Sequence, residues 1–341
     1  MTDFIPAEIA SEMTQDEALK LAEELFFPNM RPKVEGLKQK KIPFIHYTSA
    51  EVAKSIIEHK TFWMRKPQTM NDFMEIEWGR EALLAAWHGG GHGDRLKEAI
   101  NAIYPEASEL IFKRFDDWSP IFQTQTFMAC MSEHDPDTEN VLGRLSMWRA
   151  YGGENGVALV LSHRPFTTES DALDTYTAPV NYVSKADFAE KFGDIIDRIV
   201  SRPDVLQAMG LEALHAFLHQ MLKSAILTTK HPGFHEEREW RVIHTPEGGL
   251  NKHLEYSLEV VRGVPQQVVK VPLRDIPDEE VDGVVITGMP GLDPIELIQR
   301  IIIGPSEMAW VMRDTFITLL LRAGVENPYD RVVVSDIPVR R

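Results

Sequence analysis

Residues 43–64 read PFIHYTSAEVAKSIIEHKTFWM. A short apolar run, Pro43-Phe44-Ile45, ends on His46-Tyr47-Thr48-Ser49, and the chain turns at once into a helical pattern. Thr48-Ser49-Ala50-Glu51 has the spacing of a capping box, and Val52, Ile56 and Ile57 fall on one face of the helix that follows. Thr61-Phe62-Trp63-Met64 then reads as a second short strand. Such a unit predicts a sheet backed by helices. It also places an imidazole and a phenol at a strand-to-helix seam, where a rigid scaffold holds a side chain and still exposes it.

Upstream, Thr14 to Glu17 forms a second capping-box pattern, and Leu19, Leu21, Ala22 and Leu25 make a stripe that predicts a helix over 14–27. Pro28 and Pro32 are expected to end it, with basic residues 33–41 leading into the first strand. Residues 76–118 read as helical, interrupted by Gly89–Gly93 and Pro105. The glycine run lacks the preceding strand and the Lys-Ser/Thr of a phosphate loop, so it reads as a flexible connector.

Strands are expected at Thr124–Met131 and Val157–Leu161, with a helix between them at 138–150 and two helices over 185–228. From residue 238 the pattern becomes strand-rich: Glu239–His244, 254–261, 266–271, 281–287, Arg300–Ile303 and Val332–Val334, with a helix near 307–323. Helices cluster in the middle and strands flank them, which predicts an α+β fold with a helical insertion. The expected organisation is a helical lead-in over 1–41 and a single α+β domain over 42–341, with insertions near 76–118 and 185–228.

With 36 basic and 52 acidic residues the chain carries a formal charge of −16. Such a surface repels nucleic acid and anionic membranes as bulk partners, though local Arg or Lys groups can still hold a small anion. The single cysteine, Cys130, excludes an internal disulfide and fits a reducing compartment. No apolar run approaches the roughly 18 residues that span a bilayer. The N-terminus has no basic segment of secretory type. A cytoplasmic location is expected.

Several patterns carry little chemistry. His231 and His235 are four apart, but Pro232-Gly233 blocks the helix that would make them zinc ligands. Cys130 within Met-Ala-Cys-Met reads as core. Asn71 and Asp72 precede a helix and read as an N-cap or as pocket lining. Trp148 and Tyr151, three apart, read as core or as pocket walls. The richest stretch is His235-Glu236-Glu237-Arg238-Glu239-Trp240-Arg241. As a strand it places Glu237, Glu239 and Arg241 on one face. The plain alternative is a solvent-facing edge strand whose charges block aggregation.

These motifs resemble, in order, those of the ADP-ribosyltransferase superfamily. His46-Tyr47-Thr48-Ser49 resembles its first strand and helix, Phe127 to Ser132 its second motif, and Glu237-Arg238-Glu239 the Glu-x-Glu that opens its third. At closer range the chain resembles a large bacterial family catalogued as a domain of unknown function. The shared motifs are H-Y-T at His46, N-D-x-x-E at Asn71 to Glu75, a strand ending in Ser132 and W-x-x-Y at Trp148 to Tyr151. E-x-E-W-R at Glu237 to Arg241, I-I-x-G-P at Ile302 to Pro305 and I-P-x-R at Ile337 to Arg340 complete the set.

The superfamily resemblance implies a split mixed β-sheet and an NAD-dependent ADP-ribosyltransferase-like protein. It would transfer ADP-ribose to an unknown macromolecular acceptor, in the setting of a toxin or defence effector. NAD is then the substrate, and no metal is expected. Loss of nicotinamide leaves an oxocarbenium-like ribosyl centre that needs a fixed carboxylate, a role the resemblance gives to Glu239, with Glu237 orienting the acceptor. His46 would hold the adenosine ribose, Tyr47 or Tyr151 would stack on nicotinamide, and Ser132 would fix the Glu239 carboxylate. Trp148, Arg241 and Asn71 complete the expected binding set. Two alternatives stand beside this reading. One is a non-catalytic module that senses a nucleotide or an NAD derivative; the other is a metal-dependent hydrolase or nuclease using Asp72, Glu75 and Glu239.

Overall fold

The computed structural model describes residues 13–70, 73–246, 249–281 and 283–338. The strands in chain order are Phe44–Ser49 (β1), Thr61–Arg65 (β2), Phe127–Glu133 (β3), Gly156–Leu161 (β4), Tyr176–Pro179 (β5), Asn181–Tyr182 (β6) and Thr229–Lys230 (β7). Then follow Glu239–His244 (β8), Glu255–Val261 (β9), Val264–Pro272 (β10), Glu279–Val281 (β11), Val284–Ile286 (β12), Ile298–Ile303 (β13) and Val332–Val334 (β14). The chain divides into two compact units. One holds the residues up to Lys33, Met74–Gln123 and Asn181–Pro232; the other holds Val34–Phe73, Thr124–Val180 and Gly233 onward.

The second unit is built on a mixed sheet of ten strands. Its path runs β14-β13-β4-β1-β3-β2-β10-β9, and β8 lies between β3 and β5 off that path. All these pairs are antiparallel except β13 with β14. Strand β4 is buried at every position, as a central strand covered on both faces should be. Phe44, Leu159, Ile301 and Ile303 from the sheet pack with Ala53 and Ile56 of α3 (Ala50–His59 in the numbering α1 Gln15–Phe26, α2 Met30–Lys40, α3). Phe316 and Leu320 of helix Ala309–Arg322 close the same core.

The other unit is helical. Thr14 caps α1 as expected, its hydroxyl accepting from the Glu17 backbone while the Glu17 carboxylate accepts from Thr14. The glycine run and Pro105 divide the next helical stretch into Phe73–His88 (α4), His92–Ile103 (α5) and Ala107–Gln125 (α6). A Cβ on Gly79 would stand 2.3 Å from the Ile226 carbonyl oxygen, so α4 and helix Leu211–Leu227 meet closely only because that position is glycine.

Several elements differ from the sequence reading. Residues 30–40 are a helix in which Pro32 stands in the first turn, where its missing N–H costs nothing. The expected helix 138–150 is a run of turns, then Leu145–Met147 and a π-helical turn over Trp148–Gly152. Pro203 and Gly210 cut 185–228 into three helices, Lys185–Val200, Pro203–Met209 and Leu211–Leu227. Ser49, not Thr48, caps α3 by accepting from the Val52 backbone N–H. The expected strand 281–287 is the β11–β12 hairpin.

Candidate functional site

Strand β3 makes the site because its two edges are treated differently. One edge pairs with β8 from Phe127↔His244 to Ser132↔Glu239. The other is shared: Ile45↔Ser132 and Phe44↔Glu133 join it to β1, and Arg65↔Met128 joins it to β2. Between these pairs the strands part. A backbone carbonyl at such an opening needs another donor. His46 supplies it, its Nδ1–H donating to the Cys130 carbonyl oxygen at 3.0 Å. Nε2 of the neutral ring is then an acceptor. The imidazole edge packs against Phe62, with ring centroids 4.8 Å apart.

A cleft of about 690 Å³ fills this opening, lined by β1, β2, residues 128–132 of β3, the turn 149–153, the first turns of α3 with Glu51, residues 260–262, and the carboxylates Glu237 and Glu239. That is within the usual size of small-molecule and cofactor sites, roughly 300–1,000 Å³.

The carboxylates reach it in different ways. Glu237 ends a 3₁₀ turn, and Arg238 has the left-handed φ of 43°, so the strand begins only at Glu239. The alternation predicted from Glu237 onward therefore holds for Glu239 and Arg241 alone. Those two share a face: Arg241 Nε donates to Glu239 Oε1 at 2.8 Å, and Nη2 lies 3.4 Å from Oε2. Arg241 is 0% and Glu239 5% exposed, and β8 has a partner on each side. The edge-strand reading of these charges is thereby overturned. Ser132 lies directly opposite Glu239 and is equally buried, so the two side chains leave the same face with Cβ atoms about 5 Å apart. Tyr151, on the π-helical turn, donates its hydroxyl to Glu237 Oε1 at 3.0 Å.

Of the other residues expected at the site, Tyr47 touches the cleft lining, whereas Trp148 and Arg241 do not. Trp148 is core: it is 4% exposed, donates Nε1–H to the Leu142 carbonyl at 2.8 Å and packs edge-on against Tyr47. A Cβ on Gly143 or Gly304 would strike the indole at 2.7 or 2.8 Å. The W-x-x-Y and I-I-x-G-P motifs thus meet in packing. Tyr47 is 6% exposed, and its hydroxyl accepts from the Arg144 backbone N–H at 2.8 Å. Burial pushes that phenol up to about 12. Arg241 stands behind the cleft wall as the partner of Glu239 rather than in the lining. Asn71 and Asp72 lie outside the described residues, as do Val339 and Arg340 of the last motif. Among the described residues no group of three or more His, Cys, Asp or Glu is placed to hold a metal ion.

Sequence reasoning missed Arg144. Its guanidinium pairs with the Glu139 carboxylate at 2.9 and 3.1 Å and donates to the carbonyl oxygens of Glu133 (3.0 Å), Glu236 (2.6 Å) and Glu237 (3.3 Å). Arg238 also pairs with Glu139. Arg144 therefore ties the end of β3 to the turn that presents Glu237. The sequence pattern places it mid-helix, and no local signal marks an arginine two of whose partners are backbone carbonyls about 90 residues away.

Burial lowers the pKa of His46 from its ordinary value, and the bond to Cys130 offsets this in part. A depressed histidine contributes stability that is present above its unfolded pKa of about 6.5 and lost as pH falls through the folded value. His134 and His163 shift in the same direction, so the effect is read by difference. His46→Gln, whose amide can still donate to Cys130, should show a weaker loss of melting temperature between pH 7.5 and 5.5 than the parent. The difference is bounded by about 1.4 kcal/mol per pH unit. Equal pH slopes would remove His46 from the account.

Residues 147–242 match the family described as a protein of unknown function, DUF2971. The matched span holds Trp148 to Tyr151 and Glu237 to Arg241; His46 and Ser132 lie outside it. No curated protein and no solved structure matches the chain. No helix among the described residues is long and apolar enough to cross a membrane.

Proposed function

We propose that the chain is an NAD-dependent ADP-ribosyltransferase-like protein whose split mixed sheet holds NAD in the β1–β3 cleft and passes ADP-ribose to a macromolecular acceptor. The observation that carries this reading is Glu239. It is a buried carboxylate at the cleft wall, locked by Arg241, with Ser132 beside it and His46 on the strand that parts from β3. NAD supplies an activated glycosidic bond; everything else falls to side chains of the chain. The Nδ1–H tautomer of His46 leaves Nε2 to accept from a ribose hydroxyl. Glu239, fixed before ligand arrives, provides negative charge where positive charge develops on the ribose, and such preorganised charge needs no rearrangement during reaction. Glu237, bonded to Tyr151, stands beside it to orient or deprotonate the acceptor. Of the two tyrosines, Tyr151 is the one left for nicotinamide, since Tyr47 is packed against Trp148.

Incubation of the full chain with NAD should release nicotinamide, and labelled NAD added with a cell lysate should mark one class of macromolecule. NAD binding by calorimetry without nicotinamide release would turn the reading to a sensor. No binding at all would remove it.

A further inference from the structure

Along β3, Ser132 pairs with Glu239 and Met128 pairs with Arg65. Four residues of strand separate the two pairs by about 13 Å. The Arg65 end of the cleft has the opposite charge. The Arg65 guanidinium is held by neutral acceptors, Nε donating to Gln266 Oε1 at 3.0 Å and Nη2 to the Thr69 carbonyl oxygen. Burial and the nearby Arg262 charge both lower its pKa.

Arg262 is at the tip of the β9–β10 hairpin. Val261 pairs with Val264, so Arg262 and Gly263 form a two-residue loop with φ of 51° and 79°. Loops with positive φ at both positions favour Asn-Gly or Asp-Gly. A long side chain in the first of them is a departure from that preference, and strain of this kind collects at functional sites. The hairpin accepts it and brings a guanidinium to the cleft lining.

Neither arginine has a carboxylate partner among the described residues, in a chain with 52 acidic side chains. Glu259, across the hairpin from Gln266, is taken by Lys270 at 2.8 Å and by the Ser257 hydroxyl at 2.7 Å. The half-buried guanidinium of Arg65, and beside it the exposed Arg262 at the hairpin tip, line the cleft without a carboxylate partner, and such a pair is a site for an anion whose oxygens accept several N–H bonds.

We propose that Arg65 and Arg262 form a phosphate subsite of the cleft, taking the diphosphate or a phosphate ester of the bound nucleotide. The proposal deepens the dinucleotide reading and rests on it for the nucleoside part of the ligand.

Calorimetry on the full chain, with ADP, AMP, adenosine and inorganic pyrophosphate, tests it in the parent, Arg262→Asn and Arg262→Lys. Asparagine suits the left-handed turn, so Arg262→Asn should melt at or above the parent temperature and remain a fair comparison. ADP affinity should fall about 10-fold in Arg262→Asn, the loss of one charged hydrogen-bonding group. Arg262→Lys should recover part of it, and adenosine should bind all three alike. Competition by pyrophosphate assigns the subsite to the diphosphate, whereas AMP binding with no response to pyrophosphate assigns it to a phosphate ester. Failure of the parent to bind ADP, equal ADP affinity in Arg262→Asn, or an equal loss of adenosine binding would each overturn the subsite. ADP binding that depends on Arg262 in a protein releasing no nicotinamide would keep the subsite and remove the transferase. Nicotinamide release with ADP affinity indifferent to residue 262 would do the reverse.

Discussion

Glu239→Gln is expected to slow nicotinamide release by about 10²–10³-fold while leaving NAD affinity almost unchanged, because it removes one preorganised charge and keeps the size of the side chain. The structure adds a second expected effect. Glu239 is a partner of Arg241, which is wholly buried, and removing one charge of a buried pair costs up to about 3–5 kcal/mol. The glutamine oxygen can still accept from Arg241, so the loss should fall toward the lower end of that range. Activity lost through instability and activity lost through chemistry must then be separated. The double variant Glu239→Gln/Arg241→Met removes both charges of this pair and should regain most of the melting temperature. Its turnover should stay as low as that of the single variant. If turnover recovers along with stability, Glu239 is scaffold. Full turnover in the single variant would remove Glu239 from the chemistry.

How much of this could be read from the residues depends on the range of the interactions involved. Strand β8 was legible because Glu239 to His244 is a local run, and its bounds agree with the structure. That Glu239 and Arg241 share a face followed from the two-residue period of a strand. What did not follow was that this face is buried. A run of charges looks the same on an edge as beside β3 and β5, and only the non-local pairing decides. His46 was legible as a residue at a seam, but its bond to the Cys130 carbonyl depends on where two strands part. Trp148 shows the opposite failure. Its ring was available for a pocket by type, yet Gly143, close before it in sequence, and Gly304, far along the chain, enclose it in the core. The helix expected at 138–150 failed because side chain and backbone of Arg144 are committed to partners outside the segment, which local periodicity does not register.

Arg144→Met is expected to cost about as much stability as any single change at this site. The side chain is 13% exposed, and the Glu139 carboxylate it pairs with is 11% exposed. Truncation removes that ion pair and the donors to three carbonyl oxygens, and the cost for a buried pair is about 3–5 kcal/mol. Arg238 continues to face Glu139 and offsets part of it, which sets the expectation near 3 kcal/mol in urea unfolding. Arg144→Lys should recover only a fraction. One ammonium cannot pair two-pronged with Glu139 and also reach the carbonyls of Glu133, Glu236 and Glu237, as the planar guanidinium does. A merely structural role would lower all activities together with the folded fraction. The clamp makes a narrower claim, because the carbonyls it holds belong to the turn that presents Glu237, and Glu239 is held separately by Arg241. Under conditions where Arg144→Lys is fully folded, nicotinamide release should therefore persist while transfer to the acceptor falls, so that NAD hydrolysis gains at the expense of transfer. An unchanged ratio of transfer to hydrolysis in folded Arg144→Lys would mean that the clamp does not position Glu237.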